Sequence, residues 1–327
     1  MHNFAITGVA GYIAPRHLKA IKDTGNHLLA AIDPHDSAGI LDRYFPDAAF
    51  FTEIERFDRH LEKLRREKES RQLHYLSICS PNHLHDAHIR LALRLGANAL
   101  CEKPLVLKPS NLDYLQKFEE EHPGTVYTVL QLRLHPDILA LRARLQQQTN
   151  RRHSVRLTYV TSRGIWYRYS WKGDDEKSGG IAMNIGIHFF DLLMWLFGEV
   201  EGHRIHVMEA QRAGGLMALK NADVQWFLSI DERDIPDEVR GLQRTYRSIE
   251  VDGKEIEFSN RFDDLHTRVY EETLAGHGFR IADIRPAIEL VDAIRLVEPV
   301  KIFSGDAHPM SIGFKSSESR ERVRHTR

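Results

Sequence analysis

The first 33 residues carry a strand, a glycine turn, a helix and a second strand that ends in an acid, and this order strongly limits the fold. Asn3–Thr7 is a short β-prone run that leads into the glycine turn Gly8–Ala14. Helical spacing begins at Pro15, and the apolar run Leu28–Ile32 then ends at Asp33. Such a strand–turn–helix–strand unit is typical of a doubly wound parallel sheet.

The same unit predicts a dinucleotide site. Gly8 and Gly11 let the backbone close tightly and approach a pyrophosphate, to which the helix start presents its amide groups. The other turn residues that would line this site are Ala10, Tyr12 and Ile13. Asp33 follows Gly8 by 25 residues, where a carboxylate accepts from a ribose 2′-hydroxyl and repels a 2′-phosphate. The pattern therefore predicts NAD rather than NADP as cofactor; the alternative is a glycine turn in another kind of α/β fold.

A second polar motif stands at the end of a later strand. The apolar run Ala97–Leu100 leads into Cys101-Glu102-Lys103-Pro104, and Pro104 ends the strand because it has no N–H to donate. In open α/β folds the carboxyl edge of the sheet is where ligands bind, so this motif is a candidate site. Alone, the motif also fits a solvated ion pair at a strand end.

The pattern of strands and helices changes along the chain. Strands and helices alternate up to about residue 123, and closely spaced β-prone runs with an Asp252-Gly253 hairpin turn dominate later. The sequence predicts an α/β protein with an N-terminal Rossmann domain over 1–123, built on a doubly wound parallel sheet. It predicts a C-terminal α/β domain over 124–303 with an open, mainly antiparallel sheet for substrate binding and oligomerisation. The tail 304–327, rich in Ser, Arg and Glu, is expected to be poorly ordered.

Composition excludes several classes of partner. The net charge is −1 and the pI about 7.0, so we expect neither nucleic acid nor an anionic membrane surface as partner. No apolar run approaches the ~20 residues that span a bilayer, and no signal peptide precedes Asn3. The two cysteines, Cys79 and Cys101, are too few for a disulfide framework. They indicate a cytoplasmic protein.

Four motifs together resemble the glucose–fructose oxidoreductase and inositol dehydrogenase family. They are the glycine turn, Ser80-Pro81-Asn82…His85, Glu102-Lys103-Pro104 and Gly179-Gly180…Asn184…His188…Asp191. The resemblance implies an NAD-binding domain followed by an α/β domain, and a homo-oligomer, either dimer or tetramer. It also implies cofactor contacts from Ser80, Asn82, His85, Glu102, Lys103 and Gln131.

Three segments are similar to one branch of that family, the bacterial UDP-N-acetyl-2-amino-2-deoxyglucuronate 3-dehydrogenases. The segments are Ala10–His17, Leu130–Arg133 and Asn184–Phe189. This similarity implies NAD-dependent oxidation of the C3 hydroxyl of UDP-N-acetyl-D-glucosaminuronate for surface polysaccharide (O-antigen, lipopolysaccharide), with 2-oxoglutarate as the oxidant of NADH. The alternatives are a dehydrogenase of a free polyol or sugar such as an inositol, and an NAD-binding regulatory protein without turnover.

Lys103 and His188 are the candidate catalytic residues. Hydride transfer from a secondary alcohol requires removal of the hydroxyl proton, which a neutral histidine accepts near physiological pH. Lys103 would donate a hydrogen bond to the same oxygen and stabilise developing alkoxide charge. Asn184 stands where many family members have aspartate, four residues before the histidine. Because a neutral amide cannot raise the basicity of His188 as a carboxylate would, we expect Asn184 to orient the substrate or the histidine.

An aromatic and basic segment, residues 163–172, is the candidate substrate-binding surface. Four aromatic and three cationic side chains lie within these ten residues, and a nucleotide sugar acid needs aromatic surface for its base and cations for its diphosphate and carboxylate. The predicted substrate contacts are Lys103, Arg163, Trp166, Tyr167, Trp171, Asn184 and His188. The alternative is a hairpin whose aromatic rings pack on the sheet and whose cations are solvated. No metal site is predicted, because His83, His85 and His88 have no carboxylate or cysteine at ligand spacing.

Overall fold

The structure, a computed structural model, describes residues 1–67, 71–148, 151–259, 262, 264–302 and 307–312. The chain divides into two compact units. The first unit comprises Met1–Thr149, Gly164–Leu196 and Asn260–Arg295, and the second comprises Asn150–Arg163, Phe197–Ser259 and Leu296–Arg327. The domain boundaries at residues 123 and 303 stay predictions, and most of the predicted tail 304–327 lies outside the described residues.

A six-stranded parallel sheet forms the centre of the first unit. Its strands are β1 (Asn3–Thr7), β2 (His27–Ile32), β3 (Ala49–Phe51), β4 (Tyr75–Ile78), β5 (Asn98–Cys101) and β6 (Val126–Thr128). The spatial order is β3-β2-β1-β4-β5-β6, which is the order of the doubly wound dinucleotide fold. β1 and β4 are buried along their whole length, as strands of a sheet covered on both faces are. The predicted Rossmann fold is confirmed, with its ligand-binding crevice expected where winding reverses between β1 and β4.

Eleven helices lie in the described parts of the chain. They are α1 (Ala14–Asp23), α2 (Ile40–Tyr44), α3 (Ile54–Arg65), α4 (His85–Arg94), α5 (Pro109–Glu120), α6 (Pro136–Gln146), α7 (Trp166–Tyr169), α8 (Asp175–Ser178), α9 (Ile187–Phe197), α10 (Leu265–Leu274) and α11 (Ile281–Leu296). Short 3₁₀ turns at Asn82–Leu84, Gln131–Leu134, Trp171–Gly173, Glu232–Asp234 and Pro309–Ser311 complete the helical segments.

The apolar residues over 180–197 predict one long helix from sequence, but the structure has a π-helical turn within this segment. Gly179 and Gly180 have φ of +80° and +74°, which a right-handed helix cannot continue. A π-helical turn, Ala182–Gly186, then precedes α9. By length and composition alone Asp175–Phe197 could cross a membrane, contrary to the expectation from sequence, but 72% of its most apolar window is buried inside the protein. It therefore resembles a core helix.

The second unit contains a sheet of different construction. Its strands are β7 (His153–Thr161), β8 (Val200–Met208), β9 (Arg212–Leu219), β10 (Ala222–Ser229), β11 (Thr245–Val251) and β12 (Lys254–Glu257), in the order β12-β11-β7-β10-β9-β8. Only the β7–β10 pairing is parallel among the described strands of this sheet, so the prediction of a mainly antiparallel sheet is confirmed. Asp252 and Gly253, with φ of 51° and 80°, form the predicted hairpin turn between β11 and β12.

Candidate functional site

The glycine turn closes directly onto the neighbouring strand end. Gly8 has φ +75°, and a Cβ at this residue would lie 2.6 Å from the Cys79 carbonyl oxygen, so no other residue fits without a shift of the backbone. The carboxylate of Asp33 accepts from the Ala10 N–H at 3.1 Å and, through its other oxygen, from the His35 N–H at 3.0 Å. Asp33 therefore ties the turn to the end of β2, where a dinucleotide ribose would bind.

The segment after β4 carries three of the predicted cofactor contacts, and all three are buried. Asn82 donates through Nδ2 to the Ser178 carbonyl at 2.9 Å. His85 lies between two carbonyl oxygens, that of Ser80 at 2.8 Å and that of Pro104 at 2.6 Å. Burial lowers the pKa of His85. The segment is thereby fixed to the turn that carries Lys103.

Lys103 reaches the π-helical turn Ala182–Gly186. Its Nζ donates to the backbone carbonyl of Asn184 at 2.8 Å. The Asn184 side chain donates through Nδ2 to the Tyr167 hydroxyl, and its Oδ1 lies 3.5 Å from Asn82 Nδ2. π-Helical turns shift the backbone hydrogen-bond ladder by one residue and are frequent at functional sites. Here the turn brings the predicted lysine, asparagine and tyrosine into one hydrogen-bonded group.

His188 lies at the start of α9, beside the 3₁₀ turn Gln131–Leu134. Gln131 Nε2 is 3.4 Å from His188 Nε2, and the buried Gln131 Oε1 atom has no hydrogen-bond partner among the residues that the structure describes. An amide N–H donates, so the lone pair of the imidazole is on Nε2 in this arrangement. That nitrogen is thus able to accept a proton, and Gln131 offers an unused acceptor that a ligand could satisfy.

Two residues away on the same turn, Arg133 holds α9 by a buried ion pair. Its Nε and Nη2 donate to the two oxygens of Asp191, at 3.0 and 2.6 Å, and its Nη1 donates to Asp283 at 3.0 Å. Burial raises the pKa of Asp191 to about 6, against the lowering effect of the Arg133 hydrogen bonds. The turn therefore contacts α9 twice, at His188 and one helical turn later.

Glu102 is directed into the protein interior and contacts two histidines. Its Oε1 accepts from His17 Nε2 on α1 at 3.0 Å and from His266 Nε2 on α10 at 3.1 Å. Burial alone would raise the pKa of Glu102, but these hydrogen bonds outweigh it and hold the pKa well below its usual range. His17 Nδ1 lies 2.8 Å from the Tyr270 hydroxyl, which in turn lies 2.6 Å from Ser77 Oγ. The predicted contact of Glu102 with cofactor stays a prediction.

The aromatic and basic segment is helical in the structure. Tyr167 is buried, whereas Trp166 is 50% exposed. Lys172 Nζ lies 4.1 Å from the ring centre of Trp171 and 5.8 Å from that of Trp166, so the cation is within cation–π distance of both indoles. Arg163 belongs to the second unit, where its N–H donates to the Ile230 carbonyl. Substrate binding by these residues stays a prediction.

Reasoning from sequence missed the partners that hold this site in place. Arg133, Asp191 and His17 stand inside the quoted motifs but received no role, because nothing local shows which carboxylate or histidine they meet. His266 and Tyr270 lie more than 160 residues after Glu102 and carry no motif at all. The sequence of their helix, α10, predicts a helix but no partner for it. The contact with Glu102 could therefore be found only from the fold.

The arrangement fits a dinucleotide and an alcohol substrate. A glycine turn that excludes a Cβ at Gly8, an acid at the end of β2 and a buried acceptor on Gln131 follow strands β1, β2 and β6 at the carboxyl edge of the parallel sheet. Lys103 and His188 supply one cationic donor and one proton acceptor. These are the groups that oxidation of a secondary alcohol requires.

Comparison with known proteins gives a consistent result. Residues 2–130 match the family model described as "Oxidoreductase family, NAD-binding Rossmann fold", and residues 153–218 match "Oxidoreductase family, C-terminal alpha/beta domain". The crystal structure of the WlbA (WbpB) dehydrogenase from Thermus thermophilus in complex with NAD and alpha-ketoglutarate is 52% identical, with a TM-score of 0.91 over 95% of this chain and 100% of that chain. The complex of the same dehydrogenase with NAD and UDP-GlcNAcA gives 51% identity, the same TM-score and the same coverage.

A more distant relative is the D-glucoside 3-dehydrogenase of Escherichia coli. It is 25% identical over 156 residues, which cover 43% of this chain and 42% of the relative. The chain spans about half the length of the curated relatives that it matches.

Proposed function

Because the chain belongs to the Gfo/Idh/MocA oxidoreductase family, we propose that it is an NAD-dependent dehydrogenase that oxidises the C3 hydroxyl of UDP-N-acetyl-D-glucosaminuronate to the 3-keto sugar. The observation that carries the proposal is the meeting of Lys103, the π-helical turn and His188 at the carboxyl edge of a dinucleotide-binding sheet. No part of that group is needed to hold a sheet together, since it follows the strands rather than belonging to them.

Each catalytic role follows from the donors and acceptors present. When NAD is bound, it accepts the hydride that leaves the sugar carbon. His188 Nε2, which carries its lone pair in the arrangement with Gln131, accepts the hydroxyl proton. Lys103 donates to the same oxygen and stabilises the developing negative charge. The Asn184 carbonyl holds the Lys103 ammonium in place until substrate arrives.

Because residue 184 is an asparagine, no carboxylate at that position supports His188 as a base. Its side chain donates to Tyr167 rather than accepting from the imidazole. Asp191 does lie on the helix of His188, but its carboxylate is engaged by Arg133. We therefore assign proton acceptance to His188 in its neutral form, and orientation to Asn184.

The choice of substrate rests on similarity over nearly the whole chain. The Thermus thermophilus dehydrogenase crystallised with NAD and UDP-GlcNAcA is 51% identical over 100% of its length. Trp166, Trp171 and Lys172 form an aromatic and cationic surface of the kind a nucleotide sugar acid needs. The product would serve the synthesis of surface polysaccharide such as O-antigen.

Three further properties complete the proposal. The complex of the Thermus thermophilus dehydrogenase with alpha-ketoglutarate supports 2-oxoglutarate as the oxidant that regenerates NAD. Cys79 and Cys101 are both unpaired and buried, which supports a reducing cytoplasm. A dimer or tetramer formed through the sheet of the second unit would cover a sheet face, and light scattering at micromolar protein checks it.

The test compares three substrates under one condition. The purified protein is given UDP-N-acetyl-D-glucosaminuronate, UDP-N-acetylglucosamine and myo-inositol in parallel, with catalytic NAD and an excess of 2-oxoglutarate. We expect a 3-keto product, detected by mass spectrometry, and consumption of 2-oxoglutarate with the first substrate only. Reaction of the inositol alone would replace the proposal with a polyol dehydrogenase. NAD binding by calorimetry without turnover of any substrate would indicate a regulatory protein.

A further inference from the structure

Lys103 lies in a turn whose two neighbouring residues are both anchored by buried histidines. We propose that His17, His85 and His266 are positioning residues that hold the turn Glu102–Pro104 so that the Lys103 amine meets the Asn184 carbonyl. The proposal rests on the proposed function for its catalytic consequence. The anchoring itself is a structural claim that can be tested without substrate.

The first anchor is the side chain of Glu102. A buried carboxylate is tolerated only when donors satisfy it. His17 Nε2 and His266 Nε2 both lie within hydrogen-bond distance of Oε1, at 3.0 and 3.1 Å, and both histidines are about 99% buried or more. Since a carboxylate accepts only, each histidine carries its hydrogen on Nε2. Glu102 is thus joined to α1 on one side and to α10 on the other.

A chain of oriented hydrogen bonds stabilises this anchor. With its hydrogen on Nε2, His17 accepts through Nδ1 from the Tyr270 hydroxyl at 2.8 Å. Burial raises the pKa of Tyr270 well above its usual value, so the phenol keeps its hydrogen and donates it. The Tyr270 oxygen accepts in turn from Ser77 Oγ at 2.6 Å. Each donor in this series, from Ser77 through Tyr270 and His17, therefore has one acceptor. The last acceptor is the Glu102 carboxylate.

The second anchor is on the other side of Lys103. His85 Nδ1 lies 2.6 Å from the Pro104 carbonyl and its Nε2 lies 2.8 Å from the Ser80 carbonyl. Proline offers no N–H, so its carbonyl is the one backbone group by which the residue after Lys103 can be held. A neutral imidazole has one N–H, and with that hydrogen on Nδ1 His85 donates to the Pro104 carbonyl and links the turn to the start of α4.

The two anchors hold the residues on either side of Lys103, and its own side chain is held separately. Its Nζ donates to the Asn184 carbonyl at 2.8 Å. A displacement of about 1 Å at a catalytic group is enough to slow a reaction roughly 10²-fold. The histidines at this turn thus act on catalysis through Lys103, without a contact to the reacting atoms.

The experiment measures the chemical reactivity of Lys103 and, separately, hydride transfer. The full-length protein is acetylated with limiting acetic anhydride, and labelling of Lys103 relative to exposed lysines is read by mass spectrometry. We expect His266→Leu and His17→Leu to bring Lys103 reactivity towards that of an exposed lysine, a change of roughly tenfold. His266→Gln keeps an N–H near the position of Nε2 and should stay close to the parent.

Matched controls separate positioning from general damage. His308 is a buried histidine of the second unit with its own hydrogen bond to Thr158, and His308→Leu should lower stability while leaving Lys103 labelling unchanged. Where the leucine variants do not fold, Glu102→Gln, which keeps the shape and removes the charge, takes their place. In the leucine variants the single-turnover rate of hydride transfer, and with it the steady-state kcat, should fall roughly 10–100-fold with little change in KM. His266→Gln should restore both rates.

Three results would overturn the proposal. Unchanged Lys103 labelling in folded Leu variants would remove the positioning role even if the protein proves to act on another substrate. Equal effects of His266→Leu and His266→Gln would show that the donor is irrelevant. The atoms His17 Nε2, Glu102 Oε1 and His266 Nε2 lie within 4.8 Å of one another, so one equivalent of metal in the purified protein, lost in the variants, would replace hydrogen bonding by metal ligation. Altered labelling with no turnover of any substrate would retain the proposal and reject the assigned function.

Discussion

The two sheets differ in where their strands place buried polar side chains. In the first unit four strands end within three residues of a buried polar side chain; these side chains are Asp33, Ser80, Glu102 and Gln131, after β2, β4, β5 and β6. In the second unit, the buried Thr158 and His308 side chains bond to each other, and Thr161 bonds to Thr245 across two strands. Parallel strands all end at one edge, whereas antiparallel strands end alternately at both. Only the parallel sheet can therefore collect chemistry at one edge.

This contrast predicts where substitutions change chemistry and where they change only stability. The largest effect is expected at Lys103 and His188. Lys103→Met and His188→Asn should bind NAD normally but slow hydride transfer by at least ~10²-fold, since each removes an acid–base or charge-stabilising group. Single-turnover measurement at saturating NAD gives the rate. His153→Gln, at a buried histidine paired with Asp252 in the second unit, is the control and should keep its rate. Near-normal rates of hydride transfer in both site variants would contradict the assignment of the chemistry to the edge of the first sheet.

A smaller effect is expected at the glycine turn. Gly8 and Gly25 have nearly the same φ, +75° and +71°, but a Cβ meets the Cys79 carbonyl at 2.6 Å only at Gly8. Replacement by alanine costs both sites about 1–2 kcal/mol for the left-handed backbone. Only Gly8→Ala must also move the turn, so it alone should weaken NAD binding, by roughly tenfold or 1.4 kcal/mol. Calorimetric titration of both variants measures this, and equal affinities would show that the turn does not approach the cofactor.

The acid at the end of β2 should set the choice of cofactor. Asp33→Ser removes both the acceptor for a ribose hydroxyl and the charge that repels a 2′-phosphate. We expect the ratio of NADP to NAD affinity to rise by about tenfold or more, because the loss of a hydrogen bond to a charged group costs about 1.5–3 kcal/mol. Asp33→Asn keeps one acceptor oxygen for the Ala10 amide and should change the ratio less. A parent protein that already binds NADP more tightly would contradict the interpretation of this residue.

Most of the first sheet could be predicted from sequence because its signals are local. The apolar run before Gly8, the turn itself and Asp33 all lie within one βαβ unit, and each supports the same fold. β3 was missed, since Ala49–Phe51 is three residues long and only half-buried. The π-helical turn was missed too. Its residues have the apolar spacing of an ordinary helix, and its hydrogen bonds depend on what packs around Asn184.

The sequence predicted which residues form the site but not how they contact one another. Lys103 and His188 were found through motifs, and their distances to Asn184 and Gln131 follow only from the fold. The family resemblance assigned Glu102 to the cofactor, which stays a prediction, and gave no sign that its carboxylate contacts His17 and His266. Neighbours along the chain often face opposite sides at a strand end, and sequence does not say which side is interior.

The smallest effect concerns a histidine of the second unit, which should respond to acid without touching the chemistry. His308 accepts through Nδ1 from the Met310 N–H at 3.2 Å, so its hydrogen is on Nε2 and is donated to Thr158 at 2.9 Å. Burial, with the nearby charge of Arg156, lowers the pKa of His308 to about 3. The unfolded chain, with a histidine pKa near 6.5, binds a proton that the folded chain does not.

Stability from this group is therefore present above pH 6.5 and is lost as pH falls towards 3. One such group lowers the free energy of unfolding by about 1 kcal/mol between pH 6.5 and 5.5. His308→Gln cannot take up this proton, so its unfolding free energy, from urea titrations, should fall less over that interval. Hydride transfer at pH 7 should match the parent, because His308 has no assigned role in the reaction. A parallel pH dependence in parent and variant would mean that His308 titrates alike in the folded and unfolded chain. Slower hydride transfer in His308→Gln would mean that the second sheet does affect the reaction.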